Sequence, residues 1–170
     1  ATATRDALFK LVQELRGKGV PVDGVGHQMH LRINARVDRI VDSIRLFGSV
    51  GLDNLITEMD MGVYTDDLTS SASVDEDSLI RQGYKYKELF DALRKLNKEL
   101  SIVIFWGMTD GSSWLQNRPI KRVDAPLLFD DAYRAKLAFW GIVEDAPRWW
   151  PDAAASSSKR TNACSGWRRH

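Results

Sequence analysis

The stretch DNLITEMDM, residues 53–61, decides the fold. Four of its nine residues are apolar, and it follows a glycine-bounded turn after an amphipathic segment, so it reads as a strand entering a core. It closes with Glu58 and Asp60, which strand alternation turns to one side. Two ionised carboxylates at a buried strand end repel each other and lose hydration. A neighbour must compensate, or one acid must keep its proton. Such a pair is either a salt-bridged strand end or the working part of a site. His30 ends the preceding apolar run, on the neighbouring strand if sequential strands pair. A histidine between two acids can hold one of them ionised and fix its direction.

One pattern recurs along the chain: an amphipathic helix, a short polar link, then an apolar strand ending in polar residues. The first helix is expected at residues 5–16, with Ala7, Leu8, Leu11, Val12 and Leu15 on its buried stripe and Thr4 as N-cap. Gly17 and Gly19 stop it, and VDGVGHQMH (22–30) follows. The second carries Val37, Ile40, Val41, Ile44 and Phe47, stops at residues 48–51 and leads into the opening stretch. The third begins near Ser78, packs Leu89, Phe90, Leu93 and Leu96, and leads into SIVIFWGMTD (101–110). A last helix, residues 131–142, has no strand after it. Helices alternating with strands that are apolar almost throughout predict an α/β fold, a parallel sheet covered by helices. The links after the second and third strands are long, at residues 62–77 and 111–131. Long loops at the carboxyl ends of parallel strands are where such folds place binding and chemistry. Gln28 with His30, Glu58 with Asp60, and Trp106 with Asp110 all fall at those ends.

Composition excludes several function classes. At 170 residues the chain is about one domain long and can bury roughly two-thirds of its unfolded surface. With 44% hydrophobic and 28% charged residues and a net charge of +1, it has no bulk field to attract nucleic acid or anionic membrane. No apolar run approaches the ~20 residues a membrane span needs, and the opening residues read as an amphipathic helix rather than a signal peptide. A single cysteine, Cys164, excludes an internal disulfide framework. Residues 151–170 replace the periodic pattern with alanine, serine and basic residues, the composition of a linker or disordered tail.

Two histidines three apart on a helix would suggest a metal pair, but on a strand His27 and His30 point to opposite faces. Gln28 and His30 share a face instead, and His27 is expected to make ordinary hydrogen bonds. Trp106 and Trp114 bracket Asp110 beside a long loop. They are either core packing or a wall on which sugar rings stack. Trp140, Trp149 and Trp150 read as packing, and Tyr64 and Tyr84 carry no functional signal. No dinucleotide fingerprint and no G-x-S-x-G elbow is present.

With these motifs set out, residues 1 to about 145 closely resemble the C-terminal half of the glycoside hydrolase family 10 catalytic domain, the endo-1,4-β-xylanases. GVPVDGVGHQMHL looks like that family's sixth strand, GLDNLITEMDM like the seventh, and VIFWGMTDGSSWL with PLLFD like the eighth and its loop. Met59 stands where the family usually has leucine, and should point away from the site. The resemblance implies Glu58 as nucleophile and His30 as its hydrogen-bond partner, held in turn by Asp60. It implies Gln28 contacting the sugar at the cleavage point, with Trp106 and Trp114 forming the wall around the preceding sugars. It implies no cofactor and no metal, xylan or xylo-oligosaccharide as substrate, and secretion behind an upstream signal peptide. The family fold is a (β/α)8 barrel of about 250 residues. Residues 1–150 are therefore expected to form its C-terminal portion, strands six to eight, an incomplete barrel. The W-D-V-V-N-E-type strand that carries the family's acid/base glutamate is absent from these 170 residues. Asp110 and Glu88 are weak substitutes: the first has no motif behind it and the second sits on a helix surface. The remaining half-barrel, or a second copy of the chain, is an expected partner. The alternatives are a non-catalytic carbohydrate-binding or scaffold fragment of the same fold, and an α/β domain of another family whose acids are structural.

Overall fold

The computed structural model describes residues 2–143. The expected tail at 151–170, with Cys164, Trp149 and Trp150, lies outside them. The elements are α1 (Thr2–Gly17), β1 (Gly24–His27), β2 (His30–Arg32), α2 (Val37–Gly48), β3 (Asp53–Gly62), α3 (Glu76–Leu93), β4 (Leu100–Phe105) and α4 (Leu137–Ile142). All strand pairings between named strands are parallel and centre on β3. The β1 and β4 strands both pair with residues 54–56 and so occupy opposite edges of β3. After a two-residue break, β2 continues up the β1 edge, with His30 opposite Asp60.

The helices cover one face. Ile44 from α2, Ile56, Met59 and Met61 from β3, and Tyr86 and Leu89 from α3 are fully buried together, with Leu93 and Leu96 almost so. Val12, Val25, Phe47 and Leu52 form a smaller cluster under α1. The short α4 lies against α3 through two glycines: a Cβ on Gly141 would stand 2.5 Å from the Gly83 carbonyl oxygen, so only glycine permits this approach.

Ile56 and Met59 share the buried face although regular alternation would separate them. The pairing explains it. Ile56 is opposite Val103 and Met59 opposite Phe105, three steps on β3 against two on β4. A bulge at Thr57 and Glu58 absorbs the extra residue. Asn54 and Ile56 below it, and Met59 and Met61 above it, all turn inward among the helices. Met59 therefore points away from the acids, as expected.

Four sequence expectations need correction. The first helix already runs at Thr2, so Thr4 lies inside it rather than capping it. Its buried side carries Phe9 and Val12, which meet Phe47, while Leu8 and Leu11 are exposed; an amphipathic helix offers a broad stripe, and its neighbours select the part that is covered. The first strand is two strands, because Met29 takes a left-handed backbone (φ 58°) that breaks the pairing. The last helix starts only at Leu137. Before it, the Asp130 carboxylate accepts from the Ala132 and Arg134 amides and Phe129 bridges Ala135, which holds residues 130–135 in a turn. The third helix starts close to its expected place, at Glu76, where Asp75 accepts from the Ser78 amide at 2.7 Å.

The face of β4 opposite the helices is bare. Ile102 and Ile104 remain 45% and 44% exposed, and among the described residues no strand pairs with the outer edge of β1 or β4. Open edges and an uncovered apolar face drive association. Sedimentation of residues 1–170 is therefore expected to show oligomers or aggregates, and substituting Ile102 and Ile104 by lysine should shift the population toward monomer. A compact, cooperatively melting monomer of the unsubstituted chain would refute this.

Candidate active site

The carboxyl ends of β2, β3 and β4 bring the chemistry together. Alternation above the bulge sets Glu58 and Asp60 on the side of β3 away from the buried Met59 and Met61. Pairing of β2 sets His30 directly opposite Asp60. The imidazole then bridges the two acids, with Nδ1 3.0 Å from Asp60 Oδ2 and Nε2 3.3 Å from Glu58 Oε2. Both ring nitrogens face carboxylate oxygens, so both contacts are satisfied together when each nitrogen carries hydrogen or when one carboxyl supplies the proton itself. A single imidazole shared between the two acids holds them together at the end of this buried strand.

The two acids differ in access. Glu58 keeps 22% of its side-chain surface open, whereas Asp60 is sealed at 0%. Burial raises the Asp60 pKa above the ordinary carboxylate value; the Trp114 indole and His30 oppose this, and Asp124 adds to it. The sign for stability follows. An acid whose folded pKa is raised favours folding most below its unfolded pKa, and that contribution is lost as pH rises through the folded value. An ionised Asp60 therefore costs the fold stability at neutral pH.

Trp114 stands on a 3₁₀ turn, Trp114–Gln116, capped by Ser113, whose Oγ accepts from the Leu115 amide. Its Nε1 donates to Asp60 Oδ2 at 2.8 Å and its ring meets His30 edge-on, with centroids 4.9 Å apart. Trp106 follows β4 directly, its amide bonded to the Met59 carbonyl. At 50% and 40% exposure, Trp106 and Trp114 present open aromatic surface rather than core packing. Gln28 lies exposed in the break between β1 and β2.

Other candidates fall away from this cluster. His27 faces the helix layer, bonded to Asn54 at 2.8 Å and edge-on to Phe47. Glu88 pairs with Lys85 on the exposed surface of α3. Tyr64 donates to the Val123 carbonyl and underlies the Arg122 guanidinium. Trp140 packs against Phe139. Asp110 is a strut: buried, it accepts from the Leu127 amide and from Lys136, itself buried. Burial pushes the Asp110 pKa up and the Lys136 pKa down, each countered by the other's charge. Among the described residues no three potential ligands gather as a metal site.

Sequence reasoning missed the support behind the acids. Asp124 accepts from the Val63 amide and crowds Gly62, where a Cβ would meet its Oδ2 at 2.9 Å. Arg122 pairs with Asp124 and donates to the Asp66 and Thr69 carbonyls, tying the loop after β3 to the one after β4. The R-x-D spacing was visible, but nothing local told it from a solvated charge pair.

The protein-family model for glycosyl hydrolase family 10 matches residues 1–145. A thermostable celloxylanase of Thermoclostridium stercorarium is 49% identical over 143 residues, covering 82% of this chain and 37% of the relative. Crystalline xylanase B of Clostridium stercorarium superposes with a TM-score of 0.80 at 48% identity, over 84% of this chain and 43% of the other. A mutant of the intracellular xylanase of Thermoanaerobacterium saccharolyticum, solved with xylotetraose, superposes at 0.70 with 38% identity, over 82% and 39%. The chain thus spans less than half the length of these relatives. Together with the parallel sheet and the histidine-bridged acids, these matches make the chain a member of glycosyl hydrolase family 10.

Proposed function

We propose that these 170 residues form the nucleophile-bearing portion of a retaining endo-1,4-β-xylanase, equivalent to strands six to eight of the (β/α)8 barrel with their helices. In this reading β1 and β2 together are the sixth strand, β3 the seventh and β4 the eighth. The observation that carries it is the His30 bridge between an open Glu58 and a sealed Asp60. The names of the relatives and the xylotetraose bound to one neighbour support the substrate class.

Glu58 is the attacker because it alone of the two acids is reachable. Its carboxylate oxygen bonds the anomeric carbon of a xylosyl unit, the bond to the leaving oxygen breaks, and that oxygen departs with the electron pair. His30 stabilises the carboxylate before attack and orients it, while Asp60 fixes His30. Trp106 and Trp114 offer ring faces for the sugars before the scissile bond, and the exposed Gln28 contacts the sugar at that bond in this reading. The acid/base group, set about 5 Å from the nucleophile in retaining enzymes, belongs to strands outside this sequence. The polymeric substrate favours work outside the cell, although one family neighbour is described as intracellular.

An aryl xyloside with a good leaving group needs little protonation, and without an acid/base group no residue activates water to release the intermediate. The expected result is a slowly formed, persistent xylosyl ester on the peptide carrying Glu58, read by mass spectrometry and absent in Glu58→Ala. A label elsewhere, or one that survives Glu58→Ala, would overturn the assignment. The exposed Trp106 and Trp114 also support a second reading, a carbohydrate-binding fragment without chemistry. In that case Glu58→Ala retains xylo-oligosaccharide binding and no ester forms in either protein.

A further inference from the structure

We propose that Trp114 is also a positioning residue: its indole N–H holds the sealed Asp60 carboxylate as an anion, and through it fixes the proton and direction of His30. The consequence for catalysis rests on the xylanase reading above; the contact itself does not.

The surroundings of Asp60 are hostile to a charge. Its side chain has no solvent exposure, and Oδ1 is buried without a hydrogen-bond partner among the described residues. Oδ2 meets His30 Nδ1 at 3.0 Å and accepts from the one fixed donor beside it, Trp114 Nε1, at 2.8 Å. The groups around it are mostly acidic or neutral. From β3 comes Glu58, sharing the same imidazole. From the segment after β4 comes Asp124, whose charge opposes that of Asp60 and which faces Arg122. From α3 comes Tyr86, fully buried and donating to the Pro126 carbonyl. The nearest side chain able to carry a positive charge is therefore the imidazole, which Glu58 shares.

Under these conditions Asp60 gains a proton unless a fixed donor opposes it. An indole nitrogen is suited to this, because it donates and never accepts. A hydroxyl or amide in its place could turn and accept from a protonated carboxyl; the indole cannot. The edge-on contact of the Trp114 ring with His30 holds the donor in place, and so does the 3₁₀ turn beneath it, where Gln116 donates to the Asp110 and Asp124 carbonyls. One side chain thus presents its face as open surface and directs its edge at the acid behind the nucleophile. A tryptophan that the sequence offered as core packing or as wall takes a second duty in this reading.

The test is a carboxyl-carbon and indole-nitrogen magic-angle-spinning NMR titration of residues 1–170, a method that reads oligomers as well as monomers, with labels at aspartate and tryptophan. In the unsubstituted chain the Trp114 indole resonance should move with the same midpoint as the Asp60 carboxyl. In Trp114→Phe, which keeps an aromatic face and loses the N–H, the Asp60 midpoint should rise by about one pH unit, tenfold in proton affinity. Trp106→Phe should leave it in place, which separates the donor from a general loss of aromatic surface. An indole resonance unmoved through the Asp60 titration, or an Asp60 midpoint unchanged in Trp114→Phe, would overturn the proposal. If that variant fails to fold, the indole titration of the unsubstituted chain decides alone. No sugar enters this experiment, so failure of Glu58 labelling would leave its outcome intact.

Discussion

Polymeric xylan should be hydrolysed by residues 1–170 at least about 10² to 10⁴ times more slowly than by a full-length family member, the contribution of a positioned general acid. The leaving oxygen of xylan is an alkoxide of high basicity, so it cannot depart unprotonated at a useful rate. Its departure waits for a proton that Glu58, His30 and Asp60 are not placed to give. In the proposed mechanism Glu58 must be ionised to attack, while His30 contacts two carboxylates and Asp60 is sealed behind it. The deficit should shrink sharply on aryl xylosides as the leaving group becomes more acidic. Reducing-sugar release from xylan, measured beside a full-length relative, checks the first part, and a leaving-group series checks the second. Equal turnover on xylan would show that some residue of this chain acts as the acid.

The second large effect concerns the strut. Lys136→Met should destabilise the fold by about 3–5 kcal/mol, the usual result of leaving a buried charge without its partner. Lys136 Nζ donates to the Asp110 carboxylate and to the Ala125 and Leu127 carbonyls, at 2.7–2.9 Å. Its removal takes a donor from three acceptors and leaves the Asp110 carboxyl only the Leu127 amide, in a place already unfavourable to charge. Replacing both partners, as Asp110→Leu with Lys136→Met, should recover much of the loss, since an apolar pair has nothing to desolvate. Urea unfolding followed by tryptophan fluorescence measures both. A loss under 1 kcal/mol in Lys136→Met would show that Asp110 is satisfied by other means.

The sequence made the site more legible than the scaffold around it. Glu58, Asp60 and His30 announce themselves because acids and a histidine at the ends of apolar runs are costly and need a partner, and the structure brings the three together. The α2 stripe and its glycine stop also fall as expected, since periodicity and stop signals agree there. Elsewhere the deciding partners were distant. Nothing near Asp110 reveals Lys136, twenty-six residues on, so its buried role was not readable. The Met29 backbone carries no glycine or proline to mark the break between β1 and β2. Leu8 and Leu11 satisfy the helical pattern yet stay exposed, because a pattern names a stripe and not the surface that covers it. Nor does alternation reveal the extra residue in β3: Glu58 and Asp60 share a side with or without it.

That extra residue has a consequence for anyone who would transplant the site. Below Thr57 the strand keeps one cadence, and from Glu58 onward it restarts half a period out of step. Copied onto an unbroken ribbon, the letters ITEMDM would give each surface a greasy half and a polar half, with Ile56 beside the acids and Thr57 beside the methionines. A faithful graft must carry the hiccup along with the carboxylates.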